Sequence, residues 1–343
     1  MGQMNKWLPL ILLSFVSMFL SEILIWNVSQ FSEILNKGIL NAIVFLFIGT
    51  MLYFILMVIF ADIIFRFKVN DIVSLLILGS IYGLLLEGIF ANKIFEASLG
   101  PMLFQTYLFS FTFTALSWHA IIDFMLGFVF FKMILQGKFG LQCSKIKIKE
   151  IFITIIFGLY WFFFSKSSWI QNKVGEIPAL IQFLVLFYPI VVFFILFLFI
   201  FKTKNNYIPD RILSWKTYPF FLFFVVLGFI KKFIVLQNQG RMMSFLFFCG
   251  VILFYVILFF LYNKTVKESI YEESFPITGS FSILKYIKII LVILITYGIF
   301  KLIIPIINPI FPILSLLVVL LFVIYALIFP IFVIFKIIIY KFK

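Results

Sequence analysis

Residues 40–65, LNAIVFLFIGTMLYFILMVIFADIIF, hold one charged side chain, Asp62, in a run long enough to cross a bilayer. A helix crosses the hydrocarbon core with about 20 mainly apolar residues, because every backbone N–H and C=O is then satisfied inside the segment. Runs of this kind recur along the whole chain, separated by short connections. They predict ten spans, at roughly 7–26, 40–65, 72–91, 112–135, 150–165, 178–201, 217–236, 242–262, 284–304 and 311–335. Only 12% of the residues are charged, against about 25% in soluble domains, too few to clothe a soluble fold of this length. The expected fold is all-α, a polytopic integral membrane protein without a soluble domain. The longest polar connection, roughly 263–282, is too short to fold alone. The first run, Trp7 to Trp26, lacks a small-residue cleavage site and reads as a span, not a removed leader.

Two connections have a character of their own. Residues 92–111, NKIFEASLGPMLFQTYLFSF, are too apolar for a free loop and too interrupted to lengthen the fourth span. Residues 101–111 are therefore expected to be interfacial or re-entrant, with Tyr107 near the headgroups. Residues 166–177 form a second candidate interfacial piece anchored by Trp169. Pro305, Pro309 and Pro312 break the chain before the last span.

The net charge of +14 sits in short loops between apolar runs. Such a distribution follows from the positive-inside bias, so the expected partner is the lipid bilayer and not a nucleic acid. With the N-terminus inside, 19 of the 27 Lys and Arg fall on the cytoplasmic side. Both termini are thus expected in the cytoplasm, and heavy use of Ile, Phe, Lys and Asn suggests a prokaryotic cell membrane. The basic loop from Lys138 to Lys149 reads as a topology signal touching anionic lipid.

Ionisable groups inside a bilayer cost about 2.5–3.5 kcal/mol at a span centre on insertion scales, so each is a functional candidate. Of the 13 carboxylates, four fall inside spans, past the first residue: Glu22, Asp62, Glu87 and Asp123. All four lie in the first 140 residues, as does the only histidine, His119. The chain therefore divides into a four-span part, 1–140, loaded with polar groups, and an apolar part of about six spans, 141–343, the two expected to form one continuous membrane domain. At about 1.5 Å per residue, Glu22, Glu87 and His119 share the outer third of the membrane, with Asp123 about 6 Å below His119. Asp62 lies at the opposite end of its span, where Arg66 one turn on is its natural ion-pair partner.

Each candidate also has a structural reading. Glu22 can face headgroup water at a helix end. Glu87 can bond to backbone where Gly88 loosens the helix. His119 and Asp123, four residues apart on one helical face, can be a hydrogen-bonded staple. As chemistry, a carboxylate one turn from a histidine orients the ring, and neighbouring acids at the same depth can pass it a proton. A metal site is not expected, because one histidine with carboxylates is a poor zinc set and Cys143 and Cys249 lie far from it in sequence. No cofactor is expected. Ser117 is close to His119 in sequence but lies on another helix face.

The spacing from Glu87 through Phe90 to His119, 32 residues on, with Gly127 beyond, resembles part of the pattern of the intramembrane CAAX-protease-like family. The family's doubled glutamate is Leu86-Glu87 here, its arginine is missing, and its later His or Asn helix has no counterpart. The resemblance covers about 50 residues and prompts an enzyme hypothesis without establishing membership.

Three functions fit these residues. A transporter or flippase with an outer acidic and histidine site is favoured by the span count and the lack of soluble domains. An intramembrane enzyme acting on a lipid or lipid-linked substrate would use Glu87 and His119 as acid and base. A membrane scaffold or subunit needs only that the polar residues pack helices.

Overall fold

The computed structural model describes residues 7–18, 34, 37–69, 71–91, 94–95, 102–128, 139–140, 213–266, 281–282, 292, 295–296, 299 and 311–342. It is mostly helical with almost no strand. The described helices are α1 (Trp7–Met18), α2 (Ile39–Arg66), α3 (Ile72–Leu85, continued by a π-helical turn over Leu86–Phe90), α4 (Ser110–Leu126, π-helical over its length), α5 (Tyr218–Asn238), α6 (Met242–Thr265) and α7 (Phe311–Lys341). Five of the described helical stretches are long and apolar enough to cross a membrane: Leu40–Arg66, Ile72–Phe90, Tyr218–Asn238, Met242–Thr265 and Val319–Lys341. Four coincide with expected spans to within three residues, and Val319–Lys341 overlaps most of the expected 311–335. The described parts of α1 and α4 cover portions of two more. The expected spans at 150–165 and 178–201, nearly all of the one at 284–304, and the interfacial piece at 166–177 lie outside the described residues, so the count of ten stands as an expectation.

The sequence explains the inner position of α3. Gly79 and Gly83 stand four residues apart on one face and carry no side chain, which lets the backbone of α4 approach directly. A Cβ built on Gly83 would lie 2.0 Å from the Ala115 carbonyl oxygen and 2.9 Å from the His119 Cβ; one on Gly79 would lie 2.8 Å from the Ala120 carbonyl oxygen. Asp71 caps the start of α3 by accepting from the Ser74 N–H at 2.8 Å. The other helices close around this pair. Ser17 of α1 donates to the Asp123 carbonyl at 2.9 Å. Ser117 lies 2.7 Å from the Phe322 carbonyl of α7 and 2.9 Å from that of Thr112, and its single proton serves one at a time.

Residues 102–107 belong to the piece expected to be interfacial or re-entrant. They form a hairpin of β1 (Met102–Leu103) and β2 (Thr106–Tyr107), and helix begins just after it, earlier than the expected 112. Phe104 and Gln105 at its tip have φ of 48° and 60°, the left-handed pair that a two-residue hairpin turn requires. Neither residue favours that conformation, and the tip is held from a distance. Ser244 donates to the Phe104 carbonyl at 2.8 Å, and Arg241 donates to the carbonyls of Gln105 and of Phe95, the latter at 2.5 Å. A second strand pair joins β3 (Phe139–Gly140) to β4 (Phe281–Ser282) in parallel.

The opposite end of the bundle has its own clasp. Asp62, fully buried, accepts from Arg66 at 2.7 Å, as expected, and also from the Leu213 backbone N–H at 2.8 Å. The bond to Leu213 ties the end of α2 to the chain entering α5. Lys231 and Lys232 leave α5 unbroken: Lys232 is buried, with its ammonium 5.5 Å from the Phe95 ring centre.

Candidate functional site

Glu87 and His119 meet across the α3–α4 seam. The π-helical turn over Leu86–Phe90 carries Glu87 at the end of α3, and Gly83, one turn before it, lets His119 come alongside. His119 Nε2 lies 2.6 Å from Glu87 Oε1. On the other side of the ring, Nδ1 is hydrogen-bonded to Asp123 Oδ2, four residues along α4. Tyr53 of α2 extends the chain of bonds by donating to the same Asp123 oxygen at 3.3 Å. The imidazole is thus fixed at both nitrogens by carboxylates. Glu87, His119 and Asp123 are all buried, at 4%, 1% and 0% exposure, so solvent does not screen their interactions.

The walls are aromatic. Tyr82, Phe60 and Phe124 form one cluster, with the ring centres of Phe60 and Phe124 5.3 Å apart and Tyr82 against both, and Tyr82 reaches the Tyr53 ring at 6.3 Å. On the Glu87 side Phe248 of α6 lies so close to Gly88 that a Cβ there would be 2.3 Å from the ring. Phe248 in turn packs against Phe95 at 5.4 Å, linking the wall to the segment that Arg241 fastens. Glu87 Oε2 is buried and has no hydrogen-bond partner among the described residues.

Of the four predicted site residues, Glu87, His119 and Asp123 come together, and Glu22 lies outside the described residues. Among the described residues no group of three or more His, Cys, Asp or Glu is arranged to hold a metal ion. Asp62 belongs to the distant clasp. Ser117 faces α7, away from the imidazole. Tyr53 was not singled out by the sequence, where it is one hydroxyl in an apolar span. The G-x-x-x-G spacing of Gly79 and Gly83 was a readable signal for the close seam that builds the site.

These features define a helical membrane protein with a buried carboxylate–imidazole–carboxylate centre. Comparison with known protein families, with curated proteins and with solved structures gives no match for this chain.

Proposed function

We propose that the chain is an intramembrane enzyme that performs acid–base chemistry on a lipid or lipid-linked substrate. The observation that carries this reading is the 2.6 Å Glu87–His119 bond made across a seam where helix backbones touch. A base and its orienting partner must be held in fixed geometry, and a glycine-packed helix pair supplies that rigidity. π-Helical turns are also frequent at functional sites. Glu87 is the group that meets substrate, since both nitrogens of His119 are engaged and one Glu87 oxygen is not. In the proposed reaction Glu87 takes the proton of an attacking hydroxyl or water and returns one to the leaving oxygen. His119 holds the carboxylate in place and buffers its charge; Asp123 and Tyr53 are positioning residues behind it.

A transporter or flippase is the second reading, and the run of apolar helices around a proton-binding centre favours it. Its weakness is mechanical. An alternating-access carrier opens between two moving bodies, whereas Glu87 and His119 lie on two helices too closely packed to separate. Under either reading the chain sits in a cell membrane, and the basic loops support cytoplasmic termini with the hairpin end outside.

The test uses purified protein in lipid nanodiscs, incubated with a total membrane extract and followed by mass spectrometry. Species converted by wild type and not by folded Glu87→Gln support the enzyme. No conversion, together with proton flux across liposomes that Glu87→Gln abolishes, overturns it in favour of transport.

A further inference from the structure

The hairpin over 102–107 exposes the wrong residues for a turn in water. Met102, Leu103 and Phe104 are consecutive large apolar side chains, 58%, 42% and 50% exposed, where turns favour Gly, Asn, Asp and Ser. They belong to no spanning helix, so the hydropathy of a span does not account for them. The back of the hairpin is fixed to the protein: Thr106 is buried, and the Tyr107 N–H donates to the Ile94 carbonyl at 3.2 Å. At the tip, the Phe104 carbonyl accepts from Ser244 and the Gln105 carbonyl from Arg241. Partners of this kind let a turn leave water without stranding its carbonyls.

Ser244 also gives the tip its level. As a 24-residue candidate span, α6 is about 36 Å long, against a hydrocarbon core of about 30 Å. Centred in a bilayer it projects about 3 Å beyond the core at each end, and Ser244 lies in its first turn. The tip therefore stands where headgroups give way to acyl chains. Phe104 packs against Phe247 with ring centres 5.2 Å apart. Around α6, Met243 neighbours Phe247 and Leu246 neighbours Met243, and these two are 56% and 57% exposed. Tip and helix thus present one apolar surface, continuous with the side chains that α6 turns to lipid.

We propose that the hairpin is a membrane-inserting element, with Met102, Leu103 and Phe104 set among the upper acyl carbons of the leaflet at this end. Phe248, one turn beyond Ser244, packs on Gly88, so the Glu87 centre stands about 6 Å deeper than the tip. Under the enzyme reading above, Glu87 then meets a bond close to the lipid headgroup. That consequence rests on the enzyme reading, whereas the insertion does not.

Spin-label accessibility in the full chain, in phosphatidylcholine nanodiscs, tests the insertion without any turnover assay. Nitroxides are placed singly through Met102→Cys and Leu103→Cys in a Cys143→Ser, Cys249→Ser background. Leu253→Cys, in the middle of α6 and 59% exposed, is the lipid reference. Gln239→Cys, exposed between α5 and α6, is the water reference. The ratio of oxygen to nickel-chelate collisions at 102 and 103 should lie above that at Gln239 and below that at Leu253. A ratio equal to that at Gln239 puts the tip in water and overturns the proposal. Few collisions with either reagent overturn it in favour of a protein cover, and a ratio equal to that at Leu253 in favour of a deep re-entrant loop. Both labelled side chains are exposed, so either variant alone decides the matter if the other fails to fold.

Discussion

The α3–α4 pair and the α5–α7 layer are written in much the same apolar alphabet, yet they do opposite work. In α3, 72% of the most apolar window is buried inside the protein, against 17% in α7. The difference lies in a few small and polar residues. Gly79, Gly83, Ala115 and Ala120 let α3 and α4 touch at the backbone, and the ionisable groups are carried on that seam. On α5, α6 and α7 much of the outer surface is Phe, Leu and Ile. Phe220, Leu246, Leu321 and Ile331 point outward, each more than half exposed, as lipid-facing residues do. Apolar character alone brings a helix into the membrane. Small residues let α3 and α4 meet at the backbone, and that meeting keeps Glu87 beside His119.

Breaking that contrast should cost most at the seam. Gly83→Leu forces a side chain into the Ala115 carbonyl and drives α3 from α4. Thermal unfolding in detergent should show a loss of about 3 kcal/mol, with activity abolished because Glu87 leaves His119. Asp62→Ala, at the far clasp, strands the Leu213 N–H and should cost about 2 kcal/mol, while the Glu87–His119 centre keeps its function. Arg241→Ala releases the Gln105 carbonyl of the hairpin and the Phe95 carbonyl before it. Its global cost should be about 1 kcal/mol, read as faster hydrogen exchange over 102–107. Leu321→Ala on the lipid face should change stability by less than about 0.5 kcal/mol; a larger loss would show that α7 has a packed partner on that side.

How much of this was legible in the sequence follows the same divide. The five spanning helices were, because hydropathy is a local property and each run carries its own signal. The pairing of Asp62 with Arg66 was also local, one turn along a helix. The meeting of Glu87 with His119 was legible only as shared depth. What brings them together is the approach of two backbones, and the glycines that permit it gave a cue that the ionisable residues overshadowed. Tyr53 reaches Asp123 across 70 positions, and nothing in its own neighbourhood announces that bond. The hairpin was hidden for a related reason. Phe104-Gln105 lacks the usual glycine or asparagine of a tight turn, and the bonds that hold it come from Arg241 and Ser244, over 130 residues later.

The central claim is that one imidazole is held between Glu87 and Asp123, and the single histidine makes it directly measurable. In full-length protein labelled with ¹⁵N-histidine, every imidazole signal belongs to His119. Both ring nitrogens should appear hydrogen-bonded and shielded from water exchange. Glu87→Gln should move Nε2 far more than Nδ1, and Asp123→Asn should do the reverse. An Nε2 in rapid exchange with water, unmoved by Glu87→Gln, would contradict the account.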